Sequence, residues 1–148
     1  MDIGYIGSIA SVTLAAIGSA FGIGVAGMSA VGAWKKTYVE NKPAPFLLVF
    51  IGAPLTQTIY GFILLIILNG SEAAGPLAKM FIGLLGGAAM GFSAYFQGKV
   101  GANAADALAA SKEGTGNYII AIGLVESVAL FVMVFLLITA TGAFGPML

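Results

Sequence analysis

The sequence has no cysteine, no histidine and few charges, since only 8% of its 148 residues are Asp, Glu, Lys or Arg. Without cysteine and histidine, a disulfide framework, a thiol nucleophile and a Ser-His-Asp triad are excluded. Soluble domains average about a quarter charged residues. Here 59% of the residues are hydrophobic, which excludes both a soluble globular domain and a disordered chain. The composition leaves an integral membrane protein.

The balance of charges and the lack of known motifs exclude further classes of protein. Six lysines are balanced by six acidic residues, so no basic patch is available and nucleic acid is not an expected partner. No P-loop is present, so the chain does not bind ATP by that route. The chain opens Met-Asp with no basic residue before the first apolar run, which is not typical of a cleaved signal peptide.

Four long apolar segments predict an all-α membrane protein with four transmembrane helices. A helix needs about 20 apolar residues to cross roughly 30 Å of hydrocarbon, and no segment alternates as a β-barrel strand would. The first and third segments are longer and are expected to project beyond the bilayer on one side. A polar loop starting at Lys35 is expected after the first segment. The predicted segments are about Ile3–Trp34, Pro45–Leu68, Pro76–Leu108 and Asn117–Thr141.

The four segments form two matching halves, predicted as tandem helical hairpins over residues 1–74 and 75–148. The motif Ser-Ala-Phe-x-x-Gly-x-x-Gly at Ser19–Gly27 recurs as Ser-Ala-Tyr-x-x-Gly-x-x-Gly at Ser93–Gly101. Most lysines lie in or near the first and third loops, so the positive-inside rule places both of these loops in the cytoplasm and both termini outside.

Glycines are concentrated on the first and third segments, where several recur every four residues. Such stripes let helices approach closely in lipid. They could serve tight packing within one bundle or line the crowded inside of a ring of many copies, and we favour the ring. The candidate packing residues are Gly18, Gly22, Gly24, Gly83, Gly87 and Gly91.

Glu126 is the residue of the fourth segment that most needs an explanation. It lies about nine residues from the loop, and its neighbours one turn away, Ile122, Gly123, Ala129 and Leu130, cannot neutralise it. A charged group at this depth costs at least about 2.5–3.5 kcal/mol on insertion scales, so such residues are usually functional. The plainer alternative is a hydrogen bond that only staples two helices.

Other polar side chains lie at the same predicted depth. Counted from the loops, Gln57 and Gln97 are about 11–12 residues deep, so with Glu126 they form a layer roughly 14–18 Å inside the membrane. Thr56 and Tyr60 accompany Gln57 on the second segment. Pro54 removes a helical hydrogen bond to the Phe50 carbonyl and is expected to bend that helix. Together these groups predict an ion site.

The number of oxygen atoms favours sodium over a proton at this site. A proton needs little beyond a carboxyl group, whereas a hard cation needs several oxygens to replace its water, by analogy with Ca²⁺ sites. The first half lacks the set, because Leu55 stands opposite Glu126 and Ile23 opposite Gln97 in the repeat. We therefore expect one site per chain.

The chain resembles, over essentially its full length, the duplicated proteolipid (the c or K subunit) of V-type and A-type rotary ATPases. The motifs that carry the resemblance are the doubled hairpin, Pro54-Leu55-Thr56-Gln57 with Tyr60-Gly61, Gln97-Gly98-Lys99 and Val125-Glu126-Ser127. It particularly resembles the sodium-pumping bacterial members. In those, Na⁺ is bound at the positions of Thr56, Gln57, Gln97 and Glu126 and by the backbone carbonyl at Ala53, while the Tyr60 position hydrogen-bonds the carboxylate.

The resemblance implies a non-catalytic subunit in a ring of identical copies, surrounded by membrane lipid. Such a ring turns against a stator subunit that presents a basic residue, and the central stalk couples it to ATP hydrolysis elsewhere. A bacterial plasma membrane is the expected location. The alternatives are a proton-carrying ring of the same family, a tetraspan scaffold, and a small channel or porter.

Overall fold

Helices are the only regular secondary structure in residues 2–143 and 145, which the computed structural model describes. A 3₁₀ turn, Ala53–Leu55, joins two helices into one interrupted span, Leu47–Gly70. The predicted fold class, with four apolar helices long enough to cross a membrane, is confirmed. The outer limits of the predicted halves, Met1 and Leu148, lie outside the described residues. The helices are α1 (Ile3–Val39), α2 (Leu47–Gly52), α3 (Thr56–Gly70), α4 (Pro76–Ser111) and α5 (Thr115–Ala140).

The first helix is longer than its apolar segment, so the prediction of a loop starting at Lys35 is wrong. Helix α1 begins where the Asp2 carboxylate accepts a hydrogen bond from the Gly4 amide, at 2.9 Å, and continues to Val39. Polar side chains beyond the apolar core leave the backbone hydrogen bonds of a helix intact. The helix ends just before Asn41, which has a left-handed φ of 54°, and Pro43, which has no amide hydrogen to donate.

Pro54 interrupts the second span where the sequence predicts a bend. It lies in the 3₁₀ turn, after which the Thr56 amide donates to the Ala53 carbonyl three residues back. The Phe50 carbonyl, which a regular helix would pair with residue 54, faces Gly101 of α4. A Cβ atom at Gly101 would lie only 2.7 Å from that oxygen. The turn therefore places a backbone carbonyl against a position where only glycine fits without displacing it.

The tightest helix packing joins the two halves of the chain through α1 and α4. A methyl group at Gly18 would overlap the Gly91 backbone, and one at Gly83 would overlap the Gly7 carbonyl. Helix α3 packs on α1, α4 and α5, and α5 packs on α3 and α4. The boundary predicted at residue 75 falls in the turn between α3 and α4, but the halves share one interior.

The α1–α2 and α4–α5 connections meet at the same end of the bundle. Lys112 Nζ lies 2.7 Å from Glu40 Oε2, forming an ion pair between them. The hydrogen bond from Lys112 lowers the pKa of Glu40 below its usual value, and nearby lysines act in the same direction. These two connections are the basic loops that the sequence predicts to lie on one side of the membrane.

Candidate ion-binding site

Glu126 lies partly buried where α5 meets α3 and α4. The Tyr60 hydroxyl donates to Glu126 Oε1 at 2.9 Å, and Gln97 Nε2 donates to Glu126 Oε2 at 3.3 Å. The carboxylate thus has one hydrogen-bond donor on each oxygen. The one ion pair among the residues that the structure describes is Lys112–Glu40, so Glu126 has no cationic partner there. A carboxylate held only by neutral donors is suited to receive a positive charge.

A chain of side-chain hydrogen bonds leads from the 3₁₀ turn to this carboxylate. The Thr56 hydroxyl lies 2.9 Å from the Ala53 carbonyl and 3.2 Å from Gln57 Oε1. Gln57 Nε2 then donates to Gln97 Oε1 at 2.9 Å. Both glutamines are fully buried, with 0% of their surface exposed. The structure therefore brings every residue of the predicted ion site into one cluster, although the helices that carry them are far apart in sequence.

Helix geometry accounts for the way α3 contributes to the cluster. Because α3 starts directly after the 3₁₀ turn, Thr56 and Gln57 belong to its first turn, where backbone carbonyls of the preceding turn remain close by. Tyr60 follows one helical turn later, on the same side as Thr56. Pro54 is buried behind them against Gly22 of α1. The proline thus sets the direction in which α3 presents its polar side chains.

Gln97 presents its amide nitrogen to Glu126 and its oxygen to Gln57. The same nitrogen also donates to the Ile122 carbonyl at 3.1 Å. A cation bound by both Gln97 and Glu126 would require Gln97 to turn its oxygen toward the carboxylate. In the observed arrangement both oxygens of the Glu126 carboxylate accept hydrogen bonds from neutral donors, and the Gln97 oxygen faces Gln57 instead of Glu126.

Ser93 joins this region, although the sequence identified it only as part of the repeated motif. Its hydroxyl donates at 2.9 Å to the carbonyl of Val125, the residue before Glu126. Ser93 is four residues before Gln97 and so shares its face of α4. That spacing was a signal in the sequence, but a serine so placed equally fits a hydrogen bond within its own helix.

Among the described residues Lys99 forms no ion pair with Glu126, although it lies close to Gln97 in the sequence. Lys99 follows Gln97 by two residues and is exposed on another face of α4. Its Nζ lies 5.3 Å from the Tyr95 ring centroid and 5.8 Å from that of Phe96. Lys99 therefore leaves the charge of Glu126 uncompensated.

The first half of the chain has no equivalent cluster among the described residues. Leu55, opposite Glu126 in the repeat, is 51% exposed, and Ser19, opposite Ser93, is buried with no hydrogen-bond partner in that part of the chain. The described residues of the first half therefore provide no second set of groups like those around Glu126, and the single ion site stays a prediction.

Five of the six candidate packing glycines lie between α1 and α4 of the same chain. Added methyl groups at Gly18, Gly22, Gly83, Gly87 and Gly91 would each meet backbone of the other helix. At Gly24 an added methyl group would meet nothing within 4 Å. Close packing inside one chain thus uses the two stripes, and Gly24 is the candidate left facing outward.

Residues 80–139 match the family model for the C subunit of ATP synthase. The match covers less than half of the chain, runs through α4 and α5 and includes Gln97 and Glu126. It supports the c-subunit, or proteolipid, family. No curated protein sequence matches the chain.

The match to the c-subunit family indicates a role in ion translocation. Members of this family form rings of hairpins with other subunits of the ATPase, and they translocate ions without catalysing a reaction. The prediction that the chain is not itself an enzyme is confirmed. The match and the four apolar helices together support a multi-pass membrane protein that acts as an ion-translocating rotor component of an ATP synthase or ATPase.

Proposed function

We propose that this chain is the duplicated proteolipid of a V-type rotary ATPase that translocates Na⁺. The observation that carries the proposal is the cluster of oxygen atoms beside one uncompensated carboxylate. Four neutral oxygens lie in the chain of contacts that ends at Glu126: the Ala53 carbonyl, Thr56 Oγ1 and the side-chain oxygens of Gln57 and Gln97. One negative charge among neutral oxygens suits a monovalent hard cation, whereas a proton needs no such cluster.

Charge neutralisation provides the mechanism. With Na⁺ bound, the site carries no net charge and can pass through lipid as the ring turns. With the site empty, an ionised Glu126 facing hydrocarbon is strongly unfavourable, so an empty site stays beside the stator. A basic residue on the stator would stabilise the empty carboxylate. Rotation is then tied to site occupancy, and Glu126 need not transfer a proton.

The proposal includes an orientation and a set of partners. We place the two basic loops in the cytoplasm, where the central stalk would contact the ring, and both termini outside. Identical copies would surround the ring axis in a bacterial plasma membrane. Large apolar side chains such as Phe62, Leu124 and Phe131 are more than half exposed and would meet lipid or the neighbouring copies.

Sodium protection of Glu126 tests this function. A carbodiimide that reacts with protonated carboxyls is applied to the purified ring at fixed pH, with NaCl or with KCl as the ionic control. We expect NaCl alone to slow labelling of Glu126, because bound Na⁺ occupies the carboxylate. Labelling that does not change with sodium but falls as pH rises would contradict Na⁺ binding at Glu126 and indicate a proton-carrying ring. An unlabelled Glu126 under all conditions would favour a staple between helices.

Removing an oxygen from the cluster is expected to weaken sodium protection. In Gln97→Leu or Thr56→Ala, the sodium concentration for half-protection should rise by about fivefold or more, since a lost buried hydrogen-bonding group is worth about 1 kcal/mol. Asn103→Leu is the matched control, because the Asn103 amide is exposed on α4 and donates only to the Lys99 carbonyl. Equal half-protection in Gln97→Leu and Asn103→Leu would exclude Gln97 from the site.

A further inference from the structure

Two side chains of α4 hold α5 by its backbone at the level of Glu126. Ser93 Oγ donates to the Val125 carbonyl at 2.9 Å, and Gln97 Nε2 donates to the Ile122 carbonyl at 3.1 Å. The donors are one helical turn apart on α4, and their acceptors are one turn apart on α5. Glu126 follows directly after the carbonyl that Ser93 binds. These two contacts set how far α5 is shifted along α4, and therefore which groups of α4 the carboxylate faces.

Only one of these two contacts is made by a residue outside the hydrogen-bonded cluster around Glu126. Gln97 also donates to Glu126 and accepts from Gln57. A change in either of these hydrogen bonds would therefore move the same amide group that donates to Ile122. Ser93 is 7% exposed, and the one side-chain hydrogen bond that it makes among the described residues is to the Val125 carbonyl. When Gln97 turns its oxygen to a cation, its bond to Ile122 is broken and the bond from Ser93 remains.

We infer that Ser93 is a positioning residue, which keeps α5 in register with α4 while Gln97 exchanges partners. The inference rests on the proposed function, because it assumes that Gln97 contributes an oxygen to Na⁺. Ser93 would act on the ion only through Val125 and Glu126. Its loss should therefore change the shape of the cation site, not just the stability of the bundle.

The repeat provides an internal comparison. Ser19 stands in the first half where Ser93 stands in the second, and it too is buried, at 2% exposed. Its hydroxyl has no hydrogen-bond partner among the residues described. The first half, which has Leu55 opposite Glu126, therefore has the serine but not its hydrogen bond to the following helix of the hairpin. Ser19→Ala is consequently a matched control, which removes the same atom from the corresponding site on α1.

The experiment compares four rings, namely wild type, Ser93→Ala, Ser93→Thr and Ser19→Ala, by carbodiimide labelling of Glu126 under increasing NaCl or LiCl. We expect Ser93→Ala to raise the sodium concentration for half-protection by about fivefold, the equivalent of one buried hydrogen bond. The ratio of lithium to sodium half-protection should change by about threefold, because displacing a ligand changes the size of the site. Ser93→Thr keeps the hydroxyl and should restore both values, and Ser19→Ala should match wild type.

Ring assembly and thermal stability, measured on the same four samples, distinguish positioning from general weakening. Half-protection that is the same in Ser93→Ala as in Ser19→Ala would overturn the inference. So would a loss of stability in Ser93→Ala with an unchanged ratio of lithium to sodium.

Failure of the proposed function is recognised separately, because wild-type labelling would then ignore sodium. In that case the labelling rate in sodium-free buffer tests Ser93. We expect about threefold faster labelling in Ser93→Ala, since a displaced carboxyl is less enclosed by Tyr60 and Gln97. Equal rates in Ser93→Ala and Ser19→Ala would reject a positioning role.

Discussion

Glu126→Gln is expected to abolish ion transport while the ring still assembles. The amide cannot carry the negative charge that a cation neutralises, so the empty site would be uncharged and a site that held a cation would carry an uncompensated positive charge. Rotation would then no longer depend on occupancy. Assembly should persist, because an amide oxygen can still accept from Tyr60, which lies 2.9 Å from the carboxylate. Replacing an ionisable group by a neutral amide also relieves part of the insertion cost of a charged side chain, which is about 2.5–3.5 kcal/mol.

The measurement is ATP-driven Na⁺ uptake into vesicles that contain the whole ATPase, together with carbodiimide labelling of the ring. Glu126→Gln should give no uptake and no label at this position. Glu113→Gln is the matched control, since it changes an exposed carboxylate in the α4–α5 connection. We expect the control to transport normally. Uptake retained in Glu126→Gln would exclude the rotor mechanism and leave the staple between helices as the role of this residue.

The four spans could be predicted because the bilayer imposes a length and a composition on each of them. The ends of the helices could not be predicted so well, because water beyond the bilayer tolerates both helix and loop. Lys35 and Lys36 illustrate this, since they belong to α1 and not to the loop expected there. What ends α1 is local backbone geometry at Asn41 and Pro43, which the hydropathy of the segment does not report.

Depth along the helices was enough to suggest which polar side chains share a layer. Counting residues from the loops groups Gln57, Gln97 and Glu126, and the structure brings them into hydrogen-bonding distance. Their role as cation ligands stays a prediction. The direction of the Gln97 amide could not be predicted, because it depends on donors and acceptors from three helices. Nor did the sequence offer a reason to pair Ser93 with a carbonyl of α5.

Glycine spacing indicates a close approach but not the partner that makes it. The stripes on α1 and α4 were expected to line the inside of a ring, and the plainer alternative was packing within one bundle. In the structure, Gly18 and Gly91 face each other inside a single chain. A contact between copies therefore has to be tested at a position that the chain itself leaves open.

Gly18→Ala is expected to prevent the chain from packing as it does here, and Gly24→Ala provides the comparison. At Gly18 a methyl group would overlap the backbone of Gly91, which cannot rotate away as a side chain can, so α1 and α4 must separate. Overpacking of this kind costs about 1–3 kcal/mol or more, whereas alanine in an open helical position gains up to about 1 kcal/mol over glycine. The measurement is the yield and melting temperature of the purified ring. We expect Gly18→Ala to give a much lower yield of ring and a lower melting temperature, because the interface that it opens joins the two halves of every copy. A ring of Gly18→Ala with the yield and melting temperature of wild type would contradict this packing.

At Gly24 nothing in the described part of the chain opposes a methyl group, so each copy should fold normally. A folded Gly24→Ala chain that fails to form rings would then place this face of α1 at the contact between copies, whereas normal rings would leave it facing lipid.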